Sequence, residues 1–309
     1  PSGLPVITAP TDGTAAVTVL VFAGAGSRYE TQKERGISHF LEHMFFKGGK
    51  KFRTAADVST AIDSVGGDFN AFTGKEYAGY YVKVAVQHAE LACDVLSDML
   101  IHAQFPQHEI EKERGVIMEE YRMYQDTPMY QAGWDFETLL YGDQPLGWDT
   151  IGTEEVIMSV QHEDFIRHRE ELYTPDNLVL TFAGNIDEAR AVTLANQYFH
   201  VAKGKKSRQW PTLQPMPQKR VTLTSKQTEQ AHLVLGVEGV SSLHEDHFAQ
   251  KLLSIILGGS MSSRMFLKKK KKKGLCYYIS TSTDNYLDTG ILSTRAGVDQ
   301  SRLHEAITS

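Results

Sequence analysis

Apolar and polar positions change over in short runs from the start of the chain. "AAVTVLVFAGAG", residues 15–26, is rich in β-branched residues and bounded by glycines, which predicts a buried strand over about Val17 to Ala23. "ISHFLEHMFF" follows with its apolar residues at helical spacing. "TAADVSTAIDSVGG" reads as a second helix, closed by paired glycines that suit a helix C-terminus. Two strand-like runs come next, "DFNAFTGKEYAG" and "YYVKVAV", then two helical ones, "HAELACDVLSDMLIHA" and "HEIEKERGVIMEEYRMY". A strand, "NLVLTFAG", and a helix, "DEARAVTLANQYF", close this half. Hairpin-like pairs mixed irregularly with helices predict an α+β fold, with largely antiparallel sheets and packed helices rather than a doubly wound sheet.

Residues 202–220, "AKGKKSRQWPTLQPMPQKR", hold three prolines and a cluster of basic residues without periodicity, and read as a linker. It separates an N-terminal domain, 1–201, from a second domain, 221–309. The second opens with "AHLVLGVEGVSS" and "HFAQKLLSIILGGSMSS", which repeat the earlier order of strand, turn, helix and Gly-Gly. Gly48-Gly49 and Gly258-Gly259 are offset by 210; at that offset His39, Glu42 and His43 become Ala249, Leu252 and Leu253. "YYVKVAVQHAEL" and "ILSTRAGVDQSRL" match at an offset of 212. The pattern predicts a duplicated domain whose second copy has core residues where the first has a polar triplet. That copy is expected to be truncated at Ser309.

Composition narrows the function classes. The net charge of −6 argues against a nucleic-acid binder, which needs clustered Lys and Arg to neutralise phosphates. Cys93 and Cys276 are the two cysteines, too few for a disulfide framework, so a reducing compartment fits. The longest apolar run is too short for a membrane span, and a soluble intracellular protein is expected. "GAGSRY" lacks the last glycine of a dinucleotide-binding fingerprint.

The polar triplet carries the chemistry. Residues four apart on a helix lie one turn above each other, so His39 and His43 can direct imidazole nitrogens at one Zn²⁺. Glu42 lies beside such an ion, where its carboxylate can take a proton from an activated water. The bland alternative is a pair of ordinary helix histidines with a salt-bridging glutamate. A catalytic zinc needs a third protein ligand, and the glutamate-rich helix 109–124 offers candidates. Glu113 and Glu120 share a face, with Val116 and Ile117 packed between them. Spacing alone leaves Glu119 and Glu120 as rivals.

"HFLEHMFFKG", the glutamates of "ERGVIMEE" and "GGDFNAFTGKEYAGYY" together resemble the pitrilysin or insulinase family of zinc metallopeptidases. The likeness is nearest to bacterial relatives of the mitochondrial processing peptidase β subunit. It runs on through "YGDQPLGWDTIGTEE", "YTPDNLVLTFAGNID" and "GGSMSSRMF" to "GLCYY". The resemblance implies a zinc endopeptidase with His39, His43 and Glu120 as ligands, Glu42 as general base and Glu113 as a supporting carboxylate. It matches Asn70, Ala71 and Phe72 to an edge strand that pairs with the substrate backbone. Tyr277 matches a tyrosine that leans into the site from the second domain. Lys270 stands where relatives carry an arginine, keeping the charge without the planar fork. The substrates implied are short or unfolded peptides, presequence-like ones among them. A second subunit is implied, in a homodimer or in a heterodimer with an inactive homologue. The bacterial cytoplasm or the mitochondrial matrix is the implied location. Two other readings compete: a non-catalytic peptide-binding or structural subunit of the same fold, and a zinc lyase acting on a small metabolite.

Overall fold

The protein is described by a computed structural model over residues 3–216 and 220–308; positions 217–219 of the expected linker, and 1, 2 and 309 at the domain limits, lie outside these. The first part of the chain runs β1 (Val6–Pro10), β2 (Ala16–Ala23), α1 (Ile37–Phe45), α2 (Ala55–Asp63), β3 (Asp68–Thr73) and β4 (Ala78–Ala85). It continues through α3 (Ala89–Ile101), α4 (Gln107–Asp126), α5 (Pro128–Tyr141), α6 (Glu154–Ser159) and α7 (His162–Leu172) to β5 (Leu178–Gly184) and α8 (Glu188–Tyr198). Beyond lie β6 (Gln230–Gly239), α9 (His247–Gly258), a π-helical segment (Phe266–Lys272), β7 (Cys276–Asn285), β8 (Gly290–Asp299) and α10 (Leu303–Thr308).

These elements form two compact units, Pro1–Tyr121 with Asp149–Thr212, and Arg122–Trp148 with Leu213–Ser309. In the first unit the strand order is β1-β5-β2-β4-β3, antiparallel except where β1 meets β5. The β-branched run of β2 puts Val17, Val19, Val21 and Ala23 in the core while the residues between are half-buried, the period-two pattern of a sheet covered on one face. β3 forms one edge of this sheet.

α1 buries Ile37, Phe40, Leu41, Met44 and Phe45, a stripe at the spacing the sequence predicts. Phe45 packs against the rings of Tyr80, Phe105 and Tyr173. Both ends of the helix are fixed by particular residues. Gly36, at φ 95°, lies so close to Ile151 that a Cβ would stand 2.4 Å from its carbonyl oxygen. No side chain caps the helix at Gly36; instead the buried Glu30 accepts from the N–H groups of Gly36 (2.7 Å) and Ser38 (2.8 Å). After the helix, Gly48 takes a positive φ, and buried Asp98 accepts from the N–H groups of Lys50, Lys51 and Phe52.

The second unit has strand order β6-β8-β7, antiparallel throughout, which repeats the β2-β4-β3 order of the first. α5 packs on this sheet: a Cβ at Gly236 would meet Phe136 at 2.5 Å, and Tyr141 Oη donates to Gly290 O at 2.9 Å. The grouping of residues 122–148 with this unit has no counterpart in the linear reading of the chain. α9 departs from expectation. Leu252 and Leu253, expected as core, are 58% and 44% exposed, because the described part of the unit covers only the other side of α9, where Gly258 sits against Thr281.

The basic stretch after α8 is tied down on the first unit. Lys206 donates to Tyr29 Oη (2.7 Å), Arg208 pairs with Glu34 and Glu171, and Trp210 meets the Tyr29 ring at a tilt with the Arg28 guanidinium over its face. Both cysteines are free and buried. No helix among the described residues is long and apolar enough to cross a membrane.

Candidate active site

His39, Glu42 and His43 lie beside the buried stripe of α1, on a face turned toward α4 and the end of β3. Nε2 of His39 and Nε2 of His43 are each 3.7 Å from Glu120 Oε2. One ligand atom from each of these residues lies within 4.8 Å of the others. A spacing of 3.7 Å is too long for a hydrogen bond. It suits donors around one ion, since ligands about 2.0–2.1 Å from a tetrahedral zinc stand roughly 3.3 Å apart. Glu119 is exposed, so the structure separates the two rivals: Glu120 is the glutamate that meets the histidines.

The donor chemistry fits a metal. Burial, followed by repulsion from His43, lowers the pKa of His39 to about 3, so its ring is neutral near pH 7, as a ligand must be. Nδ1 of His43 is hydrogen-bonded to Glu113 Oε1 at 2.8 Å, which assigns the N–H to that nitrogen and leaves Nε2 with its lone pair free. Glu113 is buried, and its other oxygen meets Lys47 Nζ at 2.5 Å. Despite the opposing effect of burial, bonds from His43 and Lys47 hold the Glu113 carboxyl below its ordinary range. His39 differs in that its Nδ1 is buried with no hydrogen-bond partner among the described residues.

Glu42 has its pKa raised, chiefly by burial, against the opposing effects of Thr73 and His43; Glu120 adds to the rise. Thr73, the last residue of β3, donates its hydroxyl to Glu42 Oε2. Neither Thr73 nor Lys47 was among the sequence candidates. Lys47 stands four residues after His43, in the turn that follows α1, a spacing that could have pointed to it. Thr73 could not be read so, since its partner is distant in sequence.

The remaining candidates fall as follows. Ile117 is buried between Glu113 and Glu120, but Val116, expected to pack there, is 52% exposed, because the inward stripe of α4 turns toward Arg114 and Met118. Asn70, Ala71 and Phe72 lie on the edge strand β3. Phe72 makes edge-on contacts with Phe22 and Tyr77, and its ring lies over Gly79, where a Cβ would be 2.2 Å away. Tyr277 and Lys270 belong to the second unit. A register irregularity between Cys276 and Tyr278 leaves Tyr277 outside the β7–β8 ladder and 75% exposed, with Lys270 Nζ 5.8 Å from its ring centre.

Comparison with known proteins gives an independent finding. Residues 6–153 match the insulinase family of peptidases (M16), and residues 159–309 match the M16 inactive domain. The chain is 38% identical to the uncharacterized zinc protease YmxG of Bacillus subtilis, over 94% of this chain and 70% of YmxG. It is 35% identical to the uncharacterized zinc protease SCO5738 of Streptomyces coelicolor, over 99% of this chain and 68% of that protein. Among solved structures, a protease from Helicobacter pylori superposes with a TM-score of 0.90 at 22% identity, covering 99% of this chain and 76% of the other.

Proposed function

Because this chain belongs to the insulinase family of peptidases, family M16, we propose that it is a zinc-dependent endopeptidase acting on short or unfolded peptides. The observation that carries the reading is the convergence of His39, His43 and Glu120 on one point beside a partly desolvated Glu42. These three residues would hold the ion, with Glu113 fixing the ring of His43. Zinc, when bound, supplies Lewis acidity, polarising a carbonyl and bringing the pKa of water down toward about 7.

Glu42 accepts the proton of the attacking water and returns it to the amine leaving group. Its raised pKa suits the first duty, because its carboxylate is a stronger base toward the water proton than it would be at its ordinary value. The outer edge of β3 at Asn70, Ala71 and Phe72, which no further strand covers among the described residues, holds an extended peptide by main-chain hydrogen bonds once the Ala71 N–H leaves Asn70 Oδ1. Such bonds select for backbone rather than for sequence. The family likeness is what supports a role for Tyr277, with Lys270 near its ring, in stabilising the oxyanion. A second subunit, identical or an inactive homologue, and the expected intracellular setting belong to the same reading.

The test is metal analysis together with a fluorogenic peptide assay on wild type, Glu42→Gln and chelator-treated protein. Wild type should carry one equivalent of zinc and hydrolyse the peptide, and chelation should abolish turnover. Glu42→Gln should keep the zinc and lose about 10²–10⁴-fold in kcat. Wild-type rates in Glu42→Gln would remove Glu42 from the role of base. Zinc binding without any peptidase activity in wild type would favour the non-catalytic subunit.

A further inference from the structure

The first unit buries an ion pair that the chemistry above leaves unused. Arg28 is 1% exposed, and its Nη1 meets Glu76 Oε1 at 2.5 Å. Taking both charges out of water is costly, and such a pair is better explained by the geometry it fixes than by the stability it adds. What it fixes is the tip of the β3–β4 hairpin. Gly74 N–H donates to Tyr77 O (2.9 Å) to close the turn, and the turn is seated on the segment before α1. Ser27 N–H donates to Gly74 O (3.3 Å) and Arg28 N–H to Lys75 O (2.8 Å). Backbone meets backbone so closely that a Cβ on Gly26 would stand 2.4 Å from Gly74 O. Trp210 covers Arg28 from outside, 4.7 Å from ring centre to guanidinium.

The residue that enters this clamped turn is Thr73, whose hydroxyl donates to Glu42 Oε2. We propose that Thr73 is a positioning residue for the general base, and that the buried Arg28–Glu76 pair serves to hold it there. The proposal rests on the reading of Glu42 as base. A glutamate side chain has three rotatable bonds, and proton transfer needs its oxygen within about 2.6–3.2 Å of the water. A donor fixed on one carboxylate oxygen stops that rotation and leaves the other oxygen free to take the proton. Because Thr73 also ends the strand assigned to the substrate, one hairpin carries both that strand and the hydroxyl that fixes the base.

The experiment compares Thr73→Val, which keeps the shape and removes the donor, with Thr73→Ser, which keeps the donor. kcat and KM are measured on an extended fluorogenic peptide, with zinc affinity by chelator competition. A hydrogen bond to a charged group sets the scale, so Thr73→Val should lower kcat about 10- to 100-fold, with KM and zinc affinity within about twofold of wild type. Thr73→Ser should return kcat to within about threefold of wild type. Unchanged kcat in Thr73→Val overturns the proposal. So does a serine variant as slow as the valine one, which would make shape the cause, or a valine variant that loses zinc, which would make the role structural. An inactive wild type, or an active Glu42→Gln, would instead sink the assignment of the base.

Discussion

α1 and α9 hold matching places in the two units, each following a strand of the β2-β4-β3 or β6-β8-β7 order, yet their surfaces are opposite in kind. α1 sends its apolar stripe into the core and keeps a polar triplet on the adjacent face, packed against α6, α7 and β3. α9 packs against β7 and β8, while Phe248, Leu252 and Leu253 stay exposed. Apolar residues therefore do not by themselves define a core, and a polar face does not define an exterior. What neighbours an element finds decides both.

Stability measurements break this comparison most directly. Phe45→Ala removes a fully buried ring from among Tyr80, Phe105 and Tyr173, and should cost about 3–5 kcal/mol in denaturant unfolding. Leu252→Ala on α9, 58% exposed, should change stability by less than about 0.5 kcal/mol. Similar costs at the two positions would mean that α9 is covered in solution.

A second contrast is the outer support given to the polar face of α1. Glu113→Ala removes the carboxylate behind His43, and should weaken zinc binding about 10- to 100-fold in chelator competition. Unaltered affinity would show that α1 alone orients its ligands.

The smallest effect concerns pH. Ser38 of α1 lies 3.2 Å from Nε2 of fully buried His168, whereas its counterpart Phe248 is exposed. Burial, aided by repulsion from Arg208, lowers the His168 pKa from 6.5 to about 3. Between those values the unfolded chain binds more protons than the folded one, so this contribution is intact above pH 6.5 and lost on acidification. Glu30 acts in the opposite sense, since burial raises its pKa from 4.5 to about 7 and folding then favours the protonated carboxyl as pH falls through that window. His168→Gln should isolate the first effect: between pH 7 and pH 5 it should lose about 1–2 kcal/mol less stability than wild type, read from denaturant midpoints.

Much of this was legible in the sequence, for reasons that differ by element. β2 and α1 announce themselves because period and burial coincide in each. α5 does not: Gly133 interrupts its pattern, and the slot for Phe136 exists only because position 236, about a hundred residues away, is glycine. His39, Glu42 and His43 share one helix and could be found by spacing. Glu120 needed either the family likeness or the fold, since local periodicity left it level with Glu119. Thr73 reaches Glu42 only through tertiary structure. The basic stretch after α8 reads as a linker by composition, although Lys206, Arg208 and Trp210 each find a partner on the first unit.

Because residues 122–148 pack with the second unit, the chain passes between the two units three times, after Tyr121, after Trp148 and after Thr212. On the ribosome, Tyr141 emerges some 150 residues ahead of Gly290, the acceptor of its hydroxyl. At synthesis rates of 5–20 residues per second that is a wait of roughly 7–30 s. During that time Phe136 and Tyr141 of a nascent α5 wait for the strands that carry Gly236 and Gly290, their neighbours in the finished unit.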